Sequence, residues 1–237
     1  MDIVRYSKIL KSIEPREIVL LKAFPCKWGI CSFCSYIEDN SSNEAEMLEL
    51  NSRILKQITG EFGVLEVINS GSCFEIPGKT LEAIKKIVES KKISKLYFEA
   101  HWSYRNRLQE FRDFFEVPIV FITGIETFDE NFRNKILKKG IFFSDFEEIK
   151  NYFQSVCIMV GMQGQTREMI ARDIDILLKN FEHGTVNLFT ENNTSIKADP
   201  ELQEWFKENY RWLENVDKID VLWENTDFGV GANIDEK

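Results

Sequence analysis

Short apolar runs alternate along this chain with stretches whose apolar residues recur every three or four positions. IVLLKA (18–23), VLEVIN (64–69), KLYFE (95–99), IVFIT (119–123), VCIMVG (156–161), TVNLF (185–189) and IDVLW (219–223) each read as a strand, being short and rich in β-branched or aromatic residues. Between them, residues 44–60 carry Met47, Leu50, Ile54, Leu55 and Ile58 at helical spacing, and residues 77–91 place Leu81, Ile84, Ile87 and Val88 on one face. The same periodicity predicts helices over 102–115, 129–139, 144–152, 166–179 and 200–214.

Strands alternating with helices imply parallel strands joined by right-handed crossovers. Six or so such units build an open or incomplete α/β barrel; a flat doubly wound sheet is the alternative. In both, chemistry gathers where strands end and loops begin. The polar residues at those ends are Ser70-Gly71-Ser72, Glu99, Gly124-Ile125-Glu126-Thr127, the run 190–194 and Glu224-Asn225-Thr226-Asp227. Glu126 stands out, because an acid ending an apolar strand is costly to bury without a partner.

At 237 residues the chain suffices for one domain with a sizeable core, and 19 Phe and 5 Trp make that core aromatic-rich. No apolar stretch approaches the roughly 20 residues that span a bilayer. The opening MDIVRYSKILKS has neither a secretory apolar segment nor a cleavage site, so a cytoplasmic protein is expected. A net charge of −9 weighs against an extended nucleic-acid groove, which needs a basic stripe. A local pocket for a small anion remains compatible with it.

The strongest chemical signal follows the first strand. FPCKWGICSFCSY holds Cys26, Cys31 and Cys34 in a C-x4-C-x2-C spacing, with Phe33 directly before the last cysteine. Three clustered thiolates can hold three irons of a 4Fe–4S cluster and leave the fourth iron open to a ligand. A structural zinc site is the competitor, but it takes four ligands, and neither His101 nor His183 has ligand spacing to the triplet. A disulfide fits poorly with five cysteines in a reducing compartment. Cys73 and Cys157 read as buried small apolar residues.

These motifs resemble the radical S-adenosylmethionine (SAM) superfamily, whose cysteine triplet follows the first strand of a partial barrel. The usual spacing there is C-x3-C-x2-C, so Cys26 and Cys31 stand one residue further apart than usual. NSGSCFE (69–75) sits where that superfamily has its glycine-rich segment, and GIETFDENFRNKILKKGIFFSDF (124–146) is similar to a GLET…R…KG segment of the archaeosine synthase and elongator branch. FEAHWSYR (98–105) matches that branch's E-S-R-P-E segment only through Glu99. The resemblance implies a partial (βα)6 TIM-like barrel of the radical SAM type. Residues 1–17 would form an N-terminal extension, 18–190 the barrel core, and 191–237 a closing helix and strand, all within one domain.

It also implies a 4Fe–4S cluster held by Cys26, Cys31 and Cys34, and SAM cleaved by one electron to a 5′-deoxyadenosyl radical. Phe33 would pack near the adenine; Ser70, Gly71 and Ser72 would receive the SAM amino group; Glu99 and the backbone near Val160 would complete the cofactor site. An electron donor such as flavodoxin or ferredoxin would serve it.

Within that branch the chain resembles the bacterial queuine lyases, which release queuine from queuosine or its 5′-phosphate in salvage. A 7-deazapurine lacks the N7 whose protonation eases ordinary glycoside cleavage, so hydrogen abstraction from the ribose offers another route to the C–N bond. On that reading Glu126 and Asp227 are catalytic candidates. Lys22, Arg105, Asn187, Glu191, Asn192 and Asn225 are substrate-binding candidates. The barrel would use nearly the whole chain, without a second cysteine cluster or an appended RNA-binding domain, so a small nucleotide or nucleoside is expected rather than intact tRNA. An archaeosine synthase-like enzyme of tRNA or nucleoside modification and a non-enzymatic zinc-binding module remain the alternatives.

Overall fold

The computed structural model describes residues 3–233; residues 1, 2 and 234–237, which the expected domain limits also took in, lie outside the described residues. The chain gathers into two compact units, one made of residues 3–29, 36–121 and 228–233, the other of residues 30–35 and 122–227.

In the first unit β2 (Arg16–Leu21), β3 (Val64–Asn69) and β4 (Lys95–Glu99) lie parallel in chain order. A further strand, β1 (Tyr6–Ile9), pairs antiparallel with β2. It has no clear apolar run of its own, because only Ile9 among its residues is buried. The helices are α1 (Glu44–Leu55), α2 (Gly78–Lys91) and α3 (Leu108–Phe115). Asn43 caps α1 by accepting the Glu46 N–H. α1 stops five residues before its expected end, where the buried Glu17 carboxylate takes the N–H groups of Thr59 and Gly60 at 2.7 Å each. Those bonds draw the chain out of the helix. The helix expected over 102–115 begins instead as a 3-10 turn, Trp102–Arg107, capped by His101. Phe98, Phe111, Phe115 and Phe121 pack edge-on and tilted at centroid distances of 5.1–6.3 Å in the core.

In the second unit β5 (Ile119–Glu126, entering from the first unit), β6 (Ser155–Val160), β7 (His183–Leu188) and β8 (Ile219–Leu222) lie parallel in chain order. The helices are α4 (Phe146–Lys150), α5 (Arg167–Asn180) and α6 (Pro200–Tyr210). The helix expected over 200–214 ends at Tyr210 and continues as a 3-10 turn, Arg211–Asn215. The one expected over 144–152 is shorter. Two further changes bear on the site. β5 runs three residues past Thr123, through a bulge between Gly124 and Glu126. The helix expected over 129–139 is a single π turn, Phe132–Ile136. Buried Arg133 donates to the Thr127 and Ile141 carbonyls at 3.0 Å each, and the Asn134 amide exchanges two bonds with the Ile141 backbone. These side chains fold the segment back onto the end of β5 before a longer helix can form.

Candidate functional site

The second unit carries Cys31, Phe33 and Cys34. The Cys34 N–H approaches the Cys31 carbonyl at 3.4 Å, which closes one turn around the two cysteines. Phe33 is buried with Phe132, Leu137, Met159, Met162 and Phe189, and both cysteines pack against this cluster. Side-chain and backbone bonds fix the turn. Ser32 donates its N–H to the Leu137 carbonyl at 3.1 Å and its hydroxyl to the Ile136 carbonyl at 2.5 Å. The Asn192 amide donates to the Phe33 carbonyl at 2.9 Å.

Beside this turn lies a buried ion pair. The bulge at the end of β5 turns Glu126 inward with φ +65°, a left-handed value that non-glycine residues seldom adopt. Lys139 Nζ meets Glu126 Oε1 at 2.6 Å, with side-chain exposures of 13% and 6%. The same Nζ lies 5.5 Å from the Phe33 ring centroid. Burial alone would lower the Lys139 pKa, but the Glu126 carboxylate and then Cys31 and Cys34 outweigh it and raise the pKa above the usual lysine value. Glu126 Oε2 is buried with no hydrogen-bond partner, so it is an acceptor still to be filled. Gly124 is obligatory here: a Cβ on it would stand 2.3 Å from Glu126 Oε1 and 2.9 Å from Lys139 Nζ.

The first unit carries Cys26 and the glycine-rich turn after β3. A Cβ added to Gly71 would come 3.4 Å from the Cys26 Cβ and 3.1 Å from Glu75 Oε2. Glu75 organises this region: it accepts from the Ser72 N–H through Oε2, and from the Lys27 N–H at 3.2 Å and the Tyr104 hydroxyl at 2.8 Å through Oε1. Burial and the Glu75 bond both push the Tyr104 pKa up, so the phenol stays protonated and donating. Ser72 Oγ accepts the His101 N–H at 2.9 Å, and Ser70 Oγ donates to Asp39 at 3.4 Å. Asp39 in turn pairs with Arg5. Glu99 is half-buried at the end of β4.

The other sequence candidates divide by what they already bind. Asn187 is half-buried on β7, with Oδ1 buried and unpartnered. Val160 is fully buried at the end of β6. Lys22 pairs with Glu46 of α1 at 3.1 Å. Arg105 lies 4.8 Å over the Trp102 ring and donates to the Trp102 carbonyl at 3.3 Å. Glu191 accepts the Ala198 N–H at 3.1 Å. Asp227 is exposed and accepts the N–H groups of Trp223 and Glu224 at 2.7 and 2.9 Å, closing its own turn, and Asn225 is exposed within that turn. Lys139 and Glu75 are not among the sequence candidates, although both lie inside the segments that carry the resemblance.

The donor set fits an iron–sulfur cluster in its chemistry. Cys26, Cys31 and Cys34 form no disulfide and are half-buried. Cys31 and Cys34 share one turn against an apolar wall, and both act electrostatically on the Lys139 ammonium. Cys73, by contrast, is fully buried, which pushes its thiol pKa well up.

No family model matches the chain. It is 52% identical to a queuine lyase from Clostridium spiroforme, solved bound to SAM and queuine; the likeness covers 98% of this chain and 100% of that one, with a TM-score of 0.95. Archaeosine synthase subunit beta of Methanosarcina acetivorans is 24% identical over 228 residues, which is 85% of this chain and 64% of that protein, so the chain spans less than two thirds of this curated relative. SuiB of Streptococcus suis, bound to S-adenosylmethionine, is 17% identical over 89% of this chain and 51% of its own, with a TM-score of 0.55, and shares the fold alone.

Proposed function

Because the chain belongs to the queuine lyase family, we propose that it is a radical SAM lyase, releasing queuine from queuosine 5′-phosphate or queuosine. Its α/β fold is of the radical SAM type. The observation that carries the proposal is the 52% identity over nearly the full length of both chains. When bound, the 4Fe–4S cluster and SAM supply a 5′-deoxyadenosyl radical that takes a hydrogen atom from the ribose.

The chain's own residues bind, orient and shield. Cys26, Cys31 and Cys34 hold the cluster, and the apolar wall around Phe33 keeps water from it. The Ser70-Gly71-Ser72 turn, with Glu75 fixing its backbone, receives the SAM amino group; Gly71 leaves that backbone open to close approach. Glu99 and Val160 are the further cofactor contacts that the family resemblance implies. Glu126 offers its unpartnered Oε2, and Asn187 its unpartnered Oδ1, to donors on SAM or on the guanine-like edge of the base. Asn192 serves the site through the Phe33 carbonyl. Arg105, Lys22, Glu191, Asn225 and Asp227 stand behind these as substrate contacts that would have to exchange their present partners. A one-electron donor such as flavodoxin or ferredoxin completes the proposal.

The test is an anaerobic assay of protein reconstituted with iron and sulfide, supplied with SAM, dithionite and queuosine 5′-phosphate. Joint appearance of 5′-deoxyadenosine and free queuine by mass is the expected result. 5′-Deoxyadenosine without queuine rejects the substrate. Zinc without a cluster rejects the enzyme.

A further inference from the structure

Lys139 is held at both ends, by its backbone and by its ammonium. Its backbone N–H donates to the carbonyl of buried Arg133 at 3.0 Å, and its ammonium sits on Glu126 at 2.6 Å. The residues just before it are tied to the cysteine turn through the two Ser32 bonds to Ile136 and Leu137. Its charge lies over Phe33, the residue between Ser32 and Cys34, and both Cys31 and Cys34 act on it electrostatically. A fixed, poorly solvated positive charge is therefore built beside the turn that carries Cys31 and Cys34, with a carboxylate as its counterweight. The reduction potential of an iron–sulfur cluster follows the net charge and solvent exposure around it. An ammonium favours the state with the extra electron, and a carboxylate opposes it.

We infer that Lys139 is a redox-tuning residue: its ammonium, positioned by Glu126, eases one-electron reduction of the cluster at Cys26, Cys31 and Cys34. This rests on the proposed function, in that the cysteines hold a 4Fe–4S cluster. The electron comes from an external one-electron donor, and no bond is made or broken in the step.

The experiment is an anaerobic redox titration of the reconstituted full-length protein without SAM, followed by the electron paramagnetic resonance signal of the reduced cluster. K139M is expected to make reduction about tenfold less favourable, a displacement of about 59 mV to more negative potential for a one-electron couple. K139R, which keeps the charge, is expected to stay near the parent value. E126Q is expected to move the potential in the opposite direction, and K139M/E126Q to fall between the single variants. A purely structural role for Lys139 would not produce opposite signs for the two partners. A K139M potential equal to the parent's, with its cluster intact, overturns the inference, as does K139R shifting as far as K139M. Should K139M not fold, E126Q carries the test, and an unshifted E126Q potential overturns the inference. A parent protein that forms no 4Fe–4S signal overturns the proposed function itself, and is distinguished by the missing signal.

Discussion

Gly124 and Gly71 look alike in sequence, each small and each at a strand end, yet their surroundings differ in kind. A Cβ at Gly124 would fall inside the Glu126–Lys139 pair, at 2.3 Å from one partner and 2.9 Å from the other. Neither side chain can yield without separating two nearly buried charges, and breaking such a pair costs about 3–5 kcal/mol. At Gly71 the nearest atoms are 3.1 and 3.4 Å away, which a few tenths of an ångström of movement absorb. G124A is accordingly expected to lose about 3 kcal/mol in urea unfolding, and G71A less than about 1 kcal/mol. Because the Gly71 backbone is proposed to receive SAM, G71A is also expected to raise the KM for SAM, measured by 5′-deoxyadenosine formation. Equal destabilisation by the two changes would remove the pair from the account. At this scale the sequence was only partly legible. The cysteine spacing and the aromatic Phe33 announced cluster chemistry, and Glu126 announced itself as an acid ending an apolar run. Its partner Lys139 did not, because a lysine thirteen residues on, in KKG, looks like solvated surface until the chain folds back. Asp227 and Glu126 likewise looked equivalent as strand-end acids. Burial separates them, since Asp227 is exposed and spends its carboxylate on two backbone N–H groups of its own turn.

Among elements, β3 and β4 begin and end on the residues their apolar runs predict, since a short run bounded by polar or glycine positions fixes a buried parallel strand well. The segment after β5 was not legible in the same way. Periodicity registers which face is apolar, but not that Arg133 will be buried to satisfy two carbonyls. That segment is anchored from α5 as well: Asp173 Oδ1 accepts the Phe128 N–H at 2.9 Å. Burial pushes the Asp173 pKa up to about 6, against the opposing hydrogen bonds from Thr127 and Phe128. The folded value thus lies above the unfolded one of about 3.9. Between those values the folded state holds the extra proton, so this group's contribution to stability is greatest at low pH and is lost as pH rises through about 6. D173N keeps an acceptor for Phe128 but does not titrate. The parent is expected to lose roughly 1 kcal/mol more than D173N between pH 5 and pH 7 in urea unfolding. Parallel pH profiles would show that burial does not perturb Asp173.

For the whole molecule the governing quantity is charge. Thirty Lys and Arg face 39 Asp and Glu, a net −9. Several of the cations are already committed internally, Arg5 to Asp39, Arg16 to Glu66, Lys95 to Glu14 and Lys139 to Glu126. A protein that grips an RNA backbone must neutralise many phosphates, and one making six to ten such contacts loses about 10³–10⁵ in affinity between 50 and 200 mM salt. A substrate with a single 5′-phosphate releases little more than one counterion. The KM for queuosine 5′-phosphate is therefore expected to rise only about threefold over that salt range. Intact tRNA in tenfold excess over substrate is expected to leave the rate of queuine release unchanged. Both are read from the same mass assay, with tRNA added as a competitor. A steep salt dependence together with inhibition by tRNA would mean that a basic surface operates despite the net charge, and would move the substrate from the free nucleotide to the nucleic acid. A shallow dependence without inhibition would locate recognition in a few buried polar atoms, such as Glu126 Oε2 and Asn187 Oδ1, where selectivity comes from leaving no buried acceptor unpaired rather than from the field of the surface.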